Sequence, residues 1–192
     1  MDGVCKDNIV AVAGSASDTR SAFETIVNKH MKEAYFIALG FVGNHEDALE
    51  LSQEAFYKAF RNFSQLRSED KFFPWFYQIL RNLCFSFLRK KRVRQAASLD
   101  DCCPEQADFN TGCTFDPEVI AQRNESKERL LKALARLDDK YREVIVLRHF
   151  RNLSYNDMSK VLFCSRGTVT SRLYYARKKL KELLDDEKGG QY

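Results

Sequence analysis

Residues 153–180, LSYNDMSKVLFCSRGTVTSRLYYARKKL, constrain this chain more than any other stretch. They read as two short helices joined by a tight turn. Ser154 and Asp157 stand at N-cap and N3 spacing, a capping box with Asp in place of Glu. Ser165 is the next N-cap candidate, and Val169, Leu173, Ala176 and Leu180 follow it at helical spacing. The other face of this second helix carries Thr170, Ser171, Arg172, Tyr175, Lys178 and Lys179. Short polar groups beside cations suit a helix that enters a major groove and grips the flanking phosphates. The competing reading is a solvated amphipathic helix pair.

At 192 residues the chain has room for one or two domains with a real core. Eight Gly and three Pro, with long stretches free of both, predict an almost entirely helical chain. The net charge of +4 matters less than its distribution. One basic cluster is Arg89, Lys90, Lys91, Arg92 and Arg94; a second is Arg172, Arg177, Lys178, Lys179 and Lys181. Between them, residues 100–118 hold six acids and no Lys or Arg. Two basic blocks around an acidic connector predict two nucleic-acid contacts on separate modules.

No apolar run approaches the length of a bilayer span, so no membrane insertion is expected. The N-terminal MDGVCKDNIVAVAGSASD has no cationic leader of the signal-peptide kind. A cytoplasmic protein with reduced thiols is the expectation. Cys84 and Cys164 fall within helical patterns as small core residues. Cys102, Cys103 and Cys113 sit in the connector without a nearby His, so neither a metal site nor a cofactor is expected.

The organisation follows from the periodicity. Residues 1–20 read as a loose tail. Phe23, Ile26, Val27, His30, Met31, Ala34, Tyr35 and Ala38 then trace a helical stripe, which makes His30 a packed core histidine. Gly43-Asn44 breaks this helix, and another begins near Glu46. Its apolar side is read as Ala48, Leu51, Ala55, Tyr57 or Ala59, and Phe60; its exposed side shows Asp47, Glu50, Gln53 and Glu54. After a polar loop at 62–71, Pro74 fits the first turn of a third helix, with Phe76, Ile79, Leu80 and Leu83 as its stripe. Phe72, Phe73, Trp75, Tyr77 and Phe85 exceed what one stripe can bury. Aromatics beside the basic run 89–94 suit the stacking of unpaired bases, although a three-helix core explains some of them. Residues 97–117 form an acidic linker, 118–184 a second helical domain, and 185–192 a polar tail.

With both modules in view, the chain resembles the sigma-70 family, specifically its extracytoplasmic-function (ECF) branch, over roughly residues 21–96 and 118–184. The segment Asp47-Ala48-Leu49-Glu50-Leu51-Ser52-Gln53-Glu54-Ala55-Phe56 is similar to the family's polymerase-docking pattern. Trp75 to Leu83, ending in Arg89-Lys90, resembles the helix that melts and reads the −10 element. Leu137-Asp138, Arg142-Glu143-Val144, Leu153-Ser154-Tyr155 and Gly167-Thr168-Val169 are similar to the −35-reading domain. The chain departs from many relatives at Ser86, where Asp is frequent, at Thr170, where a cation is frequent, and at Phe163, where Gly is frequent. A bulky Phe163 is strained if that turn position needs a positive φ.

The resemblance implies an all-α protein of two small helical domains joined by a flexible acidic linker. It implies a non-enzymatic sigma factor whose partners are RNA polymerase core (the clamp helices of the largest subunit and the flap of the second-largest) and promoter DNA, with an anti-sigma factor as a further candidate. Asp47, Glu50, Gln53 and Glu54 are the implied docking face. Phe63, Trp75, Arg81, Asn82, Arg89, Lys90, Lys91 and Arg92 are implied for the −10 element. Ser165, Arg166, Thr168, Thr170, Ser171, Arg172, Tyr175 and Lys178 are implied for the −35 element. The alternative is a stand-alone helix-turn-helix regulator binding an operator as a dimer, which leaves residues 47–94 without a purpose. A hydrolytic enzyme is weaker still, because His30, His45 and His149 are scattered and no metal-ligand pair is visible.

Overall fold

The computed structural model describes residues 16–66, 68–97 and 117–189. The acidic connector and Cys102, Cys103 and Cys113 lie outside these residues. Among the described residues every regular element is helical: α1 (Ala16–Val42), α2 (His45–Arg61), α3 (Phe72–Ala97), α4 (Pro117–Arg136), α5 (Asp139–Phe150), α6 (Tyr155–Val161) and α7 (Arg166–Gly189). Two short 3₁₀ turns, Phe63–Gln65 and Glu69–Lys71, join α2 to α3. Helix α1 starts inside the segment read as tail, since neither Gly nor Pro interrupts 16–39. At the other end α7 runs on through Asp185 to Gly189, into the segment read as a polar tail.

The α1–α2 break takes two residues. Gly43, at φ 74°, donates its N–H to the Leu39 carbonyl at 2.8 Å and closes α1. Asn44 then accepts the Asp47 N–H on its side-chain oxygen at 3.1 Å and opens α2. This turn lays α2 back along α1. The buried face of α2 is Ala48, Leu51, Ser52, Ala55, Phe56 and Ala59, with three alanines allowing close approach. Tyr57 and Phe60 are 62% and 45% exposed, which corrects the expected stripe. At 100° per residue, Phe56 follows the direction of Ser52 and Ala59, whereas Tyr57 points away from it.

Helix α3 buries more aromatic surface than a single stripe allows. Phe72, Phe73, Phe76 and Tyr77 are all buried. Phe76 stacks on Phe56 at 4.5 Å and on Phe72 at 5.3 Å, and Phe72 in turn stacks on the buried His30. Tyr77 is enclosed from the other side, by α5. The core helices α1 and α2 cover one face of α3, and the C-terminal helices cover a second.

The C-terminal unit is organised around Arg142. Residues 142–147 are all buried, so α5 is enclosed on every side. The Arg142 guanidinium donates to the carbonyls of Leu134 (2.8 Å), Ala135 (2.6 Å) and Leu137 (2.8 Å), and reaches Phe41 O at 3.5 Å. It thereby satisfies carbonyls that the end of α4 leaves without helical partners. Burial lowers its pKa, against the opposing pull of Asp139.

The two units share one apolar core. Gly40 of α1 lies against Val146 and Phe150 of α5, and Phe36 stacks on Phe150 at 6.0 Å with nearly parallel rings. Arg151 pairs with Glu33, approaches His30 Nδ1 at 3.3 Å and lies 4.0 Å over the Phe73 ring. Glu143, 4% exposed, accepts the Tyr77 hydroxyl at 2.9 Å and pairs with Arg81. Burial first, and the Glu143 carboxylate second, push the Tyr77 phenol well above its ordinary pKa. Gln78 donates to the Val161 carbonyl at 2.7 Å.

Candidate nucleic-acid interface

The helix-turn-helix is built from caps. Ser154 Oγ accepts the Asp157 N–H at 3.1 Å and donates its own hydroxyl to the Asp157 carboxylate at 2.6 Å. Met158 and Val161 anchor the seven-residue α6 in the core. Leu162 donates to Met158 O and Cys164 to Ser159 O, and between them Phe163 adopts φ 50° with its side chain 80% exposed. The strained turn expected at Phe163 is present. Asn152, at φ 53° in the preceding turn, adopts the same left-handed conformation, which Asn tolerates well. Ser165 Oγ accepts the Thr168 N–H at 3.1 Å and starts α7.

Val169, Leu173 and Ala176 are buried, and Leu180 packs against the same core. The opposite face is open. Arg166, Gly167, Thr170, Ser171, Tyr174 and Tyr175 line one shallow depression. The Thr170 hydroxyl donates to Arg166 O at 3.0 Å and the Ser171 hydroxyl to Thr168 O at 3.1 Å. Their lone pairs remain open to accept from base amines. Tyr174 and Tyr175 meet edge to face at 5.4 Å, and both are more than half exposed. Tyr174 was missed by the sequence reading, although it lies i+4 from Thr170 and i+3 from Ser171.

The remaining −35 candidates divide by environment. Lys178 is exposed, whereas Arg172 is half-buried. Ser165 and Thr168 are engaged with each other at 2.9 Å. Lys179, from the same basic cluster, donates to Asp138 at 3.0 Å and lies 5.0 Å over Tyr141. This pair raises the Lys179 pKa and lowers that of Asp138. Lys179 therefore ties α7 to the α4–α5 turn.

On α3 the −10 candidates form a second group. Asn82, Arg89, Lys90 and Arg92 are exposed, and half-buried Trp75 meets Phe72 edge-on at 6.0 Å. Trp75, Asn82 and Arg89 are spaced by seven and share one helix face. Arg81 lies 4.6 Å over the Phe85 ring and pairs with Glu143; Lys91 is 3.6 Å from Asp47 and Arg92 is 3.7 Å from Asp139. Phe63 differs from its expected place as a base-stacking ring. It is 2% exposed and edge-on to Phe23 at 5.1 Å. An isolated aromatic flanked by turn chemistry looks surface-exposed in sequence, but the 3₁₀ turn folds it inward.

On α2, Glu50 and Gln53 are exposed, Glu54 pairs with Lys58 at 2.8 Å, and Asp47 is half-buried beside Lys91. Leu49 and Tyr57 add exposed apolar surface to this face. A separate apolar groove runs between α4, α5 and α7, lined by Leu130, Leu134, Ile145 and Leu184 and rimmed by Arg177 and Lys181. Among the described residues no group of His, Cys, Asp and Glu could hold a metal ion, and no helix is long and apolar enough to cross a membrane.

Two family models match this chain: sigma-70 region 2 over residues 26–94 and sigma-70 region 4 over residues 127–180. The RNA polymerase sigma-H factor of Pseudomonas aeruginosa is 30% identical, over 86% of this chain and 87% of that protein. This chain is an ECF-branch member of the sigma-70 family. The ECF RNA polymerase sigma factor SigW of Bacillus subtilis is 29% identical over 97% of this chain and its own full length. Among solved structures, CnrH in complex with the cytosolic domain of CnrY matches with a TM-score of 0.66 at 26% identity, over 95% of this chain and 99% of that one. RpoE of Bartonella quintana, in complex with the anti-sigma factor NepR, matches with a TM-score of 0.65 at 25% identity, over 86% and 98%. The region 2 match contains α3 and its basic run, and the region 4 match contains the helix-turn-helix. The sigma factor thus directs promoter-specific transcription, and the operator-binding dimer is not favoured.

Proposed function

We propose that this sigma factor acts in the cytoplasm without enzymatic activity, joining RNA polymerase core to promoter DNA through three separate surfaces. The α7 face with Thr170, Ser171, Tyr174 and Tyr175 reads the −35 element in duplex form, with Arg166, Arg172 and Lys178 on phosphates. The α3 face with Trp75, Arg81, Asn82 and the cations 89–92 captures unpaired bases of the −10 element. The α2 face with Asp47, Glu50, Gln53 and Glu54 docks on the clamp helices of the largest polymerase subunit. The groove between α4, α5 and α7 receives the flap of the second-largest subunit. An anti-sigma factor is a further partner, by analogy with the complexes of RpoE and CnrH.

The observation that carries this reading is the separation of two chemically different DNA surfaces on one chain. Groove-reading hydroxyls and phenols stand on α7; an indole, an amide and a cationic run stand on α3. The test is transcription by core polymerase reconstituted with the sigma factor on genomic DNA, with the RNA 5′ ends mapped. Start sites sharing an upstream two-part motif are expected. Starts without a shared motif, or tight polymerase-independent binding to a palindrome, would overturn the reading.

A further inference from the structure

The open face of α7 begins with two hydroxyls whose protons are already engaged. Thr170 donates to the Arg166 carbonyl at 3.0 Å and Ser171 to the Thr168 carbonyl at 3.1 Å. Both residues are exposed, so what they present outward is oxygen lone pairs. Thr170 adds a methyl group and shares its shallow depression with the rings of Tyr174 and Tyr175. Those two rings meet edge to face at 5.4 Å and are more than half exposed. Around position 170 the surface is therefore a hydrogen-bond acceptor set beside an apolar wall, with no cation at the position itself.

The major-groove edges of the base pairs answer this surface unequally. Adenine and cytosine offer an exocyclic amine, and thymine alone offers a methyl, so only an A·T pair holds both. A C·G pair supplies the amine without the methyl. Guanine presents N7 and O6, two acceptors that would face the lone pairs of Thr170. To meet them, the hydroxyl would have to turn away from the Arg166 carbonyl and forfeit that bond. We infer that Thr170 selects an A·T pair within the −35 element. Its Oγ1 accepts from the adenine N6 amine, while its methyl and the Tyr174 ring pack on the thymine methyl. The inference rests on the −35 role of α7 proposed above and adds to it the class of base pair that is read.

Each half of this contact can be removed from either side. On the DNA, 2-aminopurine still pairs with thymine but takes the amine out of the major groove, and uracil lacks the thymine methyl. On the protein, Thr170→Val keeps a methyl and removes the acceptor, whereas Thr170→Ser keeps the acceptor and removes the methyl. Position 170 is exposed, so both variants should fold as the parent does, which circular dichroism checks. The experiment measures binding of holoenzyme to the duplex of a promoter mapped as above, with each −35 pair replaced in turn. In the parent, 2-aminopurine at one A·T pair should weaken binding about fivefold, the worth of one hydrogen bond. Uracil at the same pair should weaken it about three- to fourfold, the worth of one buried methyl. Thr170→Val should lose the 2-aminopurine penalty and keep that for uracil; Thr170→Ser should do the reverse. Penalties that persist unchanged in both variants show that another residue reads the pair, which overturns the inference and spares the −35 role. A −35 element without an A·T pair, or one whose Thr170-dependent pair is read through guanine N7, overturns it in the same way. If substitutions along the whole α7 face alter no −35 preference, the −35 role fails and the inference with it.

Discussion

Arg142 and Leu134 are joined across the α4–α5 turn by a 2.8 Å hydrogen bond from the guanidinium Nε to the carbonyl. The same side chain serves the carbonyls of Ala135 and Leu137, which no helix satisfies. A lysine offers one compact ammonium in place of a planar fork. Arg142→Lys should therefore strand buried carbonyls, at about 1–3 kcal/mol each. A urea unfolding midpoint lowered by about 2–4 kcal/mol equivalent is expected; an unchanged midpoint would refute the fork as the organiser of this unit.

Phe163 gives the opposite sign. Its φ of 50° costs a non-glycine residue about 1–2 kcal/mol, and a side chain 80% exposed recovers little by burial. Glycine relieves the strain but gives back about 0.5–1 kcal/mol in chain entropy. Phe163→Gly should raise the melting temperature by about 1–3 °C. A lower melting temperature would mean that the ring makes a stabilising contact.

Much of this was legible in sequence because local rules act alone at those positions. The caps at Ser154 and Ser165, the helix break at Gly43-Asn44 and the inward stripe Val169-Leu173-Ala176 depend on neighbours within one turn. What escaped depends on the second unit. Glu143 reads as an ordinary exposed acid until Arg81 and Tyr77 arrive from 62 and 66 residues away. Tyr77 looked surplus because one stripe cannot bury it, and α5 supplies the missing cover. Gly40 carried a faint signal, as an isolated glycine inside an apolar helical pattern marks a close approach. Nor could the sequence tell that Lys179 and Arg81 already hold partners, Asp138 and Glu143.

Phe63 and Trp75 should behave differently despite their shared place in the −10 set. Phe63→Ala removes a ring packed on Phe23 and should cost about 3–5 kcal/mol of stability. Its transcription defect should then be equal on duplex and pre-melted templates. Trp75 is half-buried, and Trp75→Ala should impair opening while a pre-melted bubble restores transcription, since one stacked base is worth about 1–3 kcal/mol. Bubble rescue of Phe63→Ala without loss of stability would reverse the assignment.

His149 supplies a pH dependence. Partial burial, then the charges of Arg177 and Arg148, hold its pKa below the ordinary value. A histidine harder to protonate when folded favours the unfolded chain once the unfolded pKa of about 6.5 is crossed. Stability is unaffected by this group at higher pH and is lost as pH falls through and below about 6.5. His149→Gln should flatten that part of the profile by comparison with the parent chain. A steeper acid loss in the variant would contradict the direction of the shift.

The cations of α7 divide into two classes that salt can separate. Lys178 is exposed, and in the function proposed above its charge meets phosphate; Lys179 is already bound to Asp138. A phosphate contact releases counterions, so log affinity falls with log salt by about 0.9 per contact. For −35 duplex binding by holoenzyme, Lys178→Ala should weaken binding evenly across sequences and reduce the slope by about one. Lys179→Ala should leave the slope unchanged, because its charge is spent within the protein. Tyr175→Ala and Ser171→Ala should keep the slope and change which upstream sequence is preferred. Their neighbour Tyr174, on the same exposed face, should join this second class. Equal slope losses at Lys178 and Lys179, or altered base preference at Lys178 alone, would show that α7 lies on DNA by a different face.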